Sequence, residues 1–218
     1  MFLLLIKLIN RYYAQFSLRF FRKDKKFVKL VRLIRKEVDF LLSNEEAYTL
    51  FSLIQNAKKI KGDIAEVGCY EGGSTKIIAE VNKEFKKIYI FDTFDGLPKV
   101  NNHIDVGFST KDYIADYEKV KNYLKKYKKI SINKGRFPDT ASSLINKKFS
   151  FVHLDVDIYK STLDSLNFFY PRLNPGAVIL SHDYYYNGGV KKAFTEFLKN
   201  KPEIVIKSSG AYCLIVKQ

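Results

Sequence analysis

The feature that most constrains the fold of this chain is a regular alternation, from residue 43 onward, of short apolar runs with longer amphipathic segments. The apolar runs are typical of buried β-strands, and the segments between them are typical of helices. Such alternation predicts an α/β fold with a doubly wound, mostly parallel sheet. The predicted strands are DIAEV, KIYIFD, KISIN, FSFVHLDVD and AVILS, and then EIVIK and AYCLIVK around Ser208-Ser209-Gly210, which predict an antiparallel C-terminal hairpin.

The helical segments carry local signals at their ends. A helix is predicted to begin at residues 43–46, and another is predicted over residues 111–127. The Ser-X-X-Asp spacing at 161–164 has the form of a capping box, so a further helix is predicted to begin there. Residues 93–110 form a predicted loop that is long enough to serve a function of its own.

Residues 1–42 are predicted to be a basic, amphipathic helical appendage to a catalytic domain at 43–218. The 218-residue chain has a net charge of +15, and residues 1–36 hold eleven lysines and arginines against one acid, Asp24. Apolar side chains recur there at helical spacing, which suits an anionic membrane surface or packing against protein. The apolar run ends at Lys7, too early for a transmembrane span, and a signal peptide is not expected.

Polar and glycine residues gather at the carboxyl ends of the predicted strands, where open parallel sheets bind their ligands. The turn EVGCYEGGST at 66–75 contains glycines that permit a tight turn and a close approach of a ligand, and Ser74 is predicted to cap the next helix. A nicotinamide-binding turn would read GxGxxG, whereas position 70 is tyrosine. Asp92 ends the next strand and is predicted to accept both ribose hydroxyls of an adenosine ligand, which fits S-adenosylmethionine and NAD equally.

The apolar stretch FVHLDVDIY nevertheless carries His153, Asp155 and Asp157. Alternation along a strand predicts that these three side chains share one face, and burying charged groups without partners is costly. With His182-Asp183 after the next strand, the two aspartates predict a cluster that holds a divalent cation, or in which Asp155 or His182 acts as a general base. The structural alternative is a hydrogen-bonded network that only caps strand ends.

The other two histidines receive simpler interpretations. His153 lies deeper in the strand and is predicted to be a core histidine whose hydrogen bonds are satisfied. His103, in the long loop, is predicted to be polar surface.

Five motifs between about Ile60 and Tyr184 carry a resemblance to a known family: GDIAEVGCYEGGS, FDTFDGLP, NKGRFPDT, LDVDIYKSTLDSL and FFYPRLNPGAVI. On these motifs the chain resembles the macrocin O-methyltransferase family of S-adenosylmethionine-dependent enzymes. The resemblance implies the Rossmann-like class I methyltransferase fold and magnesium-assisted methylation of a sugar hydroxyl. The predicted cofactor-binding residues are Glu66, Gly68, Cys69, Tyr70, Gly72, Ser74, Asp92, Thr93, Gly135, Arg136 and Phe137.

For the cation, the resemblance implies Asp155 as a ligand and base, followed by a pair of aspartates after the fifth strand. Here that pair reads His182-Asp183. The predicted metal ligands are therefore Asp155, His182 and Asp183, the predicted catalytic residues are Asp155 and His182, and the predicted ion is Mg²⁺ or Mn²⁺. An imidazole in the set favours manganese or another transition metal.

The predicted function is S-adenosylmethionine-dependent O-methylation of a sugar hydroxyl in a glycan, a glycolipid or a glycosylated metabolite. The alternatives are an RNA methyltransferase, which the net charge suggests, and a non-catalytic membrane-associated adaptor, which His182 suggests. A nicotinamide oxidoreductase would lack its glycine turn. Nucleic acid is not expected as a partner, because most of the charge lies in the appendage and LDVDIY differs from the Asn/Asp-Pro-Pro-Tyr of amino-methylating enzymes.

The predicted location is the cytoplasm, with a peripheral contact at the inner face of the membrane through residues 1–36. Cys69 and Cys213 match no metal spacing and are read as reduced thiols, which agrees with a cytoplasmic protein. A homodimer is the predicted assembly, because most oligomers of soluble enzymes are symmetric dimers.

Overall fold

The computed structural model describes residues 16–218, and these contain one seven-stranded sheet with helices on both faces. The strands are β1 (Asp63–Val67), β2 (Ile88–Asp92), β3 (Ile130–Lys134), β4 (Phe149–Leu154), β5 (Leu173–Ser181), β6 (Ile206–Lys207) and β7 (Cys213–Val216). Their order across the sheet is β3-β2-β1-β4-β5-β7-β6. The first five pair in parallel, and β7 pairs antiparallel with both β5 and β6. The predicted α/β class and the antiparallel C-terminal hairpin are both confirmed.

Six α-helices accompany these strands in the described part of the chain. They are α1 (Lys25–Glu37), α2 (Asn44–Ala57), α3 (Gly73–Asn82), α4 (Tyr117–Leu124), α5 (Tyr159–Phe169) and α6 (Gly188–Leu198). Short 3₁₀ turns lie at Leu18–Phe21, Ser142–Leu144 and Tyr170–Arg172. The start predicted for α2 is confirmed, because Ser43 and Glu46 form a capping box there.

Two apolar cores lie on the two faces of the sheet. One core packs α1, α2, α3 and α4 against side chains such as Ile64, Ile90 and Phe151. The other packs α5 and α6 against side chains on the opposite face, such as Ala65 and Val152. Successive residues of a strand point to opposite faces, so the almost fully buried strands β1 and β4 supply both cores at once.

The helix α1 belongs to the first of these cores. Its buried side chains Phe27, Val31 and Ile34 lie within the same apolar cluster as α2 and the sheet. Arg35 ties its end to the next segment, because the guanidinium donates to the carbonyl oxygen of Leu42 at 2.9 Å and lies 5.4 Å from the centre of the Phe40 ring. The described part of the predicted appendage therefore packs on the domain.

The rest of the predicted amphipathic stripe, at residues 2–13, lies outside the described residues. Among the helices within residues 16–218, none combines the length and the apolar character that crossing a membrane requires.

The predicted helix over residues 111–127 was wrong at its start. Lys111 and Tyr113 have φ angles of +72° and +62°, which no α-helix contains. The helix α4 begins only after Asp116, whose side chain accepts the N–H of Lys119. The segment before it therefore belongs to the long loop.

Three finer predictions were also wrong. The helix α5 begins at Tyr159, two residues before Ser161, and its N-cap residue Ile158 has no side-chain cap. The N-cap of α3 is Gly72 in the left-handed conformation, so Ser74 does not cap that helix. The strand β4 ends at Leu154, so the alternation that was predicted to align Asp155 with His153 stops before it reaches the acid.

Candidate active site

The loops that follow β1 and β4 meet in backbone contact at Gly68. This residue has a φ of +82°, and a Cβ built on it would lie 1.7 Å from the carbonyl oxygen of Asp155. The N–H of Asp155 in turn donates to the carbonyl oxygen of Val67 at 2.9 Å. Only glycine allows this approach, which brings the glycine turn after β1 next to the acids after β4.

One cavity at the carboxyl ends of the strands collects most of the predicted site. The predicted residues that line it are Gly68, Cys69, Tyr70, Ser74, Asp92, Thr93, Gly135, Arg136, Phe137, Asp155, His182 and Asp183. Gly72 and Glu66 are outside this lining. Glu66 is fully buried behind it, where its carboxylate accepts from the Thr75 hydroxyl and contacts His153 at 2.9 Å.

His153 is a buried histidine with both ring nitrogens in hydrogen bonds, as predicted. Its Nδ1 contacts Glu66, and its Nε2 contacts the Tyr212 hydroxyl at 2.7 Å. His103 is exposed in the long loop.

Asp92 braces the glycine turn. One carboxylate oxygen accepts the N–H groups of Cys69 and Tyr70 at 2.8 and 2.9 Å, and the other accepts the N–H of Phe94 at 2.8 Å. A carboxylate has about four lone-pair positions, and three of them are occupied here. Asp92 therefore has one lone-pair position left for a ligand hydroxyl. Burial raises the pKa of this carboxyl, although the three N–H groups favour its charged form.

The turn after β3 closes another side of the cavity. Gly135 has a φ of +133° and donates its N–H to the carbonyl oxygen of Asp92 at 2.9 Å. Phe137 is held by aromatic neighbours, because its ring stacks on Phe169 with centroids 5.1 Å apart and meets the edge of Phe91 at 5.0 Å. The apolar wall at this end is therefore rigidly packed.

His182 lies at the centre of a cluster of carboxylates. Its Nδ1 lies 2.9 Å from Asp183 Oδ2 and 3.3 Å from Asp155 Oδ1, and its Nε2 lies 3.3 Å from Glu46 Oε1. Glu46 comes from the first turn of α2 and was not predicted from the sequence. Its capping motif gives no indication that the same side chain also contacts a site residue.

The charges in this cluster shift one another's protonation. Burial lowers the pKa of His182, but Asp155 and the other carboxylates more than compensate and raise it far above its ordinary value. Burial alone would raise the pKa of Asp155, and the charge of His182 lowers it instead. Without a cation, these shifts favour the charged form of the His182 ring and the ionised form of the Asp155 carboxyl.

Asp157 and Tyr113 complete the cavity on the side of the acids. Asp157 has a φ of +60°, and burial followed by the charges of Asp155 and Asp183 raises the pKa of its carboxyl well above the usual range. Tyr113 has a φ of +62°, and burial next to these acids raises the pKa of its hydroxyl to about 12. The sequence placed Tyr113 inside a helix, so its position in the cavity was missed.

The long loop before α4 lines this side of the site and is anchored near its middle. Leu97, Pro98 and Tyr113 line the cavity. Asp105 is buried, and its carboxylate accepts the N–H of Tyr159, the first residue of α5, at 2.7 Å. A carboxylate at a helix N-terminus is favoured by the helix dipole. The loop is therefore part of the site, as its length suggested.

Comparison with known proteins identifies the family. A model of the macrocin-O-methyltransferase (TylF) family matches residues 50–207, which is most of the chain. This chain belongs to the macrocin O-methyltransferase family. The resemblance found in the five sequence motifs is thereby confirmed.

Two curated O-methyltransferases are similar to this chain. One is an 8-demethyl-8-(2,3-dimethoxy-alpha-L-rhamnosyl)-tetracenomycin-C 4'-O-methyltransferase from Streptomyces olivaceus, 26% identical over 59% of this chain and 55% of its own length. The other is a mycinamicin III 3''-O-methyltransferase from Micromonospora griseorubida, 24% identical over 57% of this chain and 56% of its own length. The chain thus spans a little over half the length of the curated relatives it matches.

Solved structures share the fold. The O-methyltransferase NovP superposes with a TM-score of 0.69 at 18% identity, over 81% of each chain. The predicted class I methyltransferase architecture is therefore confirmed.

The macrocin O-methyltransferase family implies a divalent cation, and the donor atoms present here fit one. Asp155, His182 and Asp183 each offer one ligand atom, and these atoms all lie within 4.8 Å of one another. Two carboxylate oxygens and one imidazole nitrogen form a donor set that suits a first-row divalent metal ion.

Proposed function

We propose that this protein is an S-adenosylmethionine-dependent O-methyltransferase that acts on a hydroxyl of a sugar in a glycosylated metabolite, a glycan or a glycolipid. The observation that carries the proposal is that one cavity joins the braced glycine turn to the acid cluster. A methyl donor and a hydroxyl acceptor must meet within a single cavity, because in-line displacement requires close alignment of the two. Membership of the family and the sugar-modifying activities named for its relatives support the choice of substrate class.

The donor side of the proposal rests on the glycine turn, Asp92 and the turn at Gly135. S-adenosylmethionine supplies an activated methyl group, so the protein has only to bind, orient and enclose it. Asp92 holds the N–H groups of Cys69 and Tyr70 and can accept one ribose hydroxyl with its remaining lone pair. Phe137 and Leu97 provide apolar walls on this side of the cavity.

The acceptor side rests on Asp155, His182 and Asp183, which we propose as ligands of a divalent cation. A cation bound there makes an acceptor hydroxyl more acidic. Asp155 is the proposed base, because its ionised carboxylate lies in the cavity wall and can take the hydroxyl proton. Tyr113 and the anchored loop exclude water from this end of the cavity and orient the sugar.

The test is calorimetric titration of S-adenosylmethionine into the wild type, Asp92→Ala and the matched control Asp95→Asn, which changes an exposed acid three residues away. We expect binding in the micromolar range, unchanged in Asp95→Asn. Asp92→Ala should bind roughly 10- to 100-fold more weakly, because hydrogen bonds to a charged group contribute about 1.5–3 kcal/mol each. Transfer of a labelled methyl group to deoxysugar and hexose glycosides then identifies the acceptor. If the wild type does not bind S-adenosylmethionine, the proposal is wrong and the adaptor alternative gains support.

We further propose that the outer surface of residues 16–36 contacts an anionic membrane. Phe16 and Phe20 are 54% and 77% exposed, and the same segment carries exposed cations that include Arg19, Lys26 and Arg32. Aromatic rings among cations suit the interface of an anionic bilayer. Co-sedimentation with vesicles that contain phosphatidylserine tests this, and equal binding to neutral vesicles or preferential binding to RNA would contradict it. The homodimer stays a prediction.

A further inference from the structure

The two ring nitrogens of His182 face different partners, and this decides what the ring can do. Nε2 faces Glu46 Oε1 at 3.3 Å, while Nδ1 faces Asp183 Oδ2 at 2.9 Å and Asp155 Oδ1 at 3.3 Å. A neutral imidazole carries a proton on one nitrogen and a lone pair on the other. Asp155 and Asp183 can ligate a metal ion together with Nδ1, whereas Glu46 lies on the other side of the ring, so Nδ1 is the nitrogen that can join a metal site while Nε2 keeps its proton.

The Glu46 carboxylate is held in position to accept the Nε2 proton, because two backbone N–H groups donate to it. Oε1 accepts the N–H of Ala211 at 2.8 Å, and Oε2 accepts the N–H of Ser43 at 2.9 Å. The side chain also packs against Gly210, where a Cβ would lie 2.2 Å from Oε1. An ionised carboxylate can only accept hydrogen bonds, so Glu46 holds the proton on Nε2 of His182.

Two further contacts fix the plane of the His182 ring. Tyr212 meets it edge to face, with centroids 5.1 Å apart at an angle of 79°. The N–H of His182 donates to the carbonyl oxygen of Leu154 at 2.9 Å, which anchors the residue between β4 and β5. The ring is therefore held with Nδ1 directed towards the two aspartates.

This arrangement places a nitrogen donor next to two carboxylate oxygens. Metal-bound histidines commonly donate their other N–H to a carboxylate, and such a partner fixes the tautomer. Magnesium prefers oxygen ligands, whereas imidazole suits transition metal ions. A cation held by Asp155, Asp183 and Nδ1 would take the place of a proton on Nδ1, and Glu46 would keep the proton on Nε2.

We propose that Glu46 is a positioning residue that holds His182 with Nδ1 as the metal-binding atom, and that the resulting site binds Mn²⁺ in preference to Mg²⁺. This rests on the proposed cation-assisted function and deepens it. Glu46 itself does not touch the ion. Its effect passes through the ring of His182.

The experiment measures metal binding directly, on protein freed of metal by chelation. Free Mn²⁺ is counted by electron paramagnetic resonance during titration, with Mg²⁺ as competitor, and Co²⁺ absorption reports nitrogen ligation. The variants are Glu46→Gln, His182→Asp and their combination, with Glu45→Gln as the matched control in the same helical turn. Thermal unfolding of each variant shows that it is folded, and S-adenosylmethionine binding is measured on the same samples.

We expect the wild type to bind Mn²⁺ at least tenfold more tightly than Mg²⁺. Glu46→Gln should weaken Mn²⁺ binding about 10- to 100-fold, the usual effect of losing such a partner, and Glu45→Gln should leave it unchanged. His182→Asp should abolish the Co²⁺ absorption that reports nitrogen ligation. It should also reduce the ratio of Mn²⁺ affinity to Mg²⁺ affinity. Adding Glu46→Gln to His182→Asp should improve binding, because it removes one of two facing carboxylates.

Three results would overturn the inference: no metal binding by the wild type, equal affinities for Mn²⁺ and Mg²⁺, or equal effects of Glu46→Gln and Glu45→Gln. The outcome is separable from that of the proposed function. The protein could bind metal in a way that depends on Glu46 and yet not bind S-adenosylmethionine. That result would support this inference and contradict the proposed methyltransferase function.

Discussion

Replacing Gly68 by alanine should be one of the most damaging single changes in this chain. The residue has a φ of +82°, which for alanine costs about 1–2 kcal/mol. Its new methyl group would lie 1.7 Å from the carbonyl oxygen of Asp155, so the two loops would have to separate by more than an ångström. Separation weakens the hydrogen bond from Asp155 to Val67, worth about 1 kcal/mol, and overpacking adds about 1–3 kcal/mol. We expect a loss of about 3–6 kcal/mol in the free energy of unfolding.

Gly107 offers a matched control for the cost of placing alanine in a left-handed backbone conformation. It has a φ of +92°, and a Cβ built on it meets nothing within 4 Å. Gly107→Ala should therefore cost only about 1–2 kcal/mol. Urea denaturation of both variants gives their free energies of unfolding. The difference between the two losses is the part that comes from the close contact between the β1 and β4 loops. Equal destabilisation by the two substitutions would refute the reasoning, because it would mean that these loops do not touch.

Two further predictions concern buried carboxylates. Burial alone would raise the pKa of Glu203, but contacts from Lys217 and Tyr170 outweigh it and lower the pKa to about 2 from 4.5. The contribution of Glu203 to the stability of the folded protein should therefore be complete above pH 4.5 and lost as the pH falls towards 2. Glu203→Gln should therefore cost about 2 kcal/mol at pH 6 in urea denaturation and much less at pH 2.5, and a difference independent of pH would contradict this. Asp105→Asn should loosen the long loop, giving roughly tenfold faster hydrogen exchange at residues 101–113, whereas Asp95→Asn should not. Unchanged exchange in Asp105→Asn would show that the loop has another anchor.

The sheet could be predicted from the sequence because each strand is a short apolar run bounded by polar residues or glycine. The helices predicted between the strands indicate that the strands are parallel, and Ser208-Ser209-Gly210 indicates the hairpin. The family motifs then predicted most of the residues that line the cavity. Local patterns and contiguous motifs were sufficient for all of these.

The site residues that were not predicted correctly owe their positions to contacts between distant segments or to unusual backbone conformations. Glu46 meets His182 across 136 positions of the chain, which no local pattern reveals. Tyr113 adopts a left-handed conformation that tyrosine seldom shows, so the helical periodicity of the residues around it was misleading. Glu66 was predicted to bind the cofactor, but it is fully buried against His153 and does not line the cavity.

The linker between α1 and α2 has a practical consequence for work on this protein. Phe40 and Leu42 line the cavity beside the glycine turn, and the Phe40 ring lies where a side chain at Gly73 would otherwise project. Arg35 holds this linker in place from the end of α1. A shortened version that began at residue 43, the border suggested by sequence, would therefore lack one wall of its binding cleft. Removing the basic segment to improve solubility would damage ligand binding as well, so membrane attachment is better tested by replacing surface cations than by deletion.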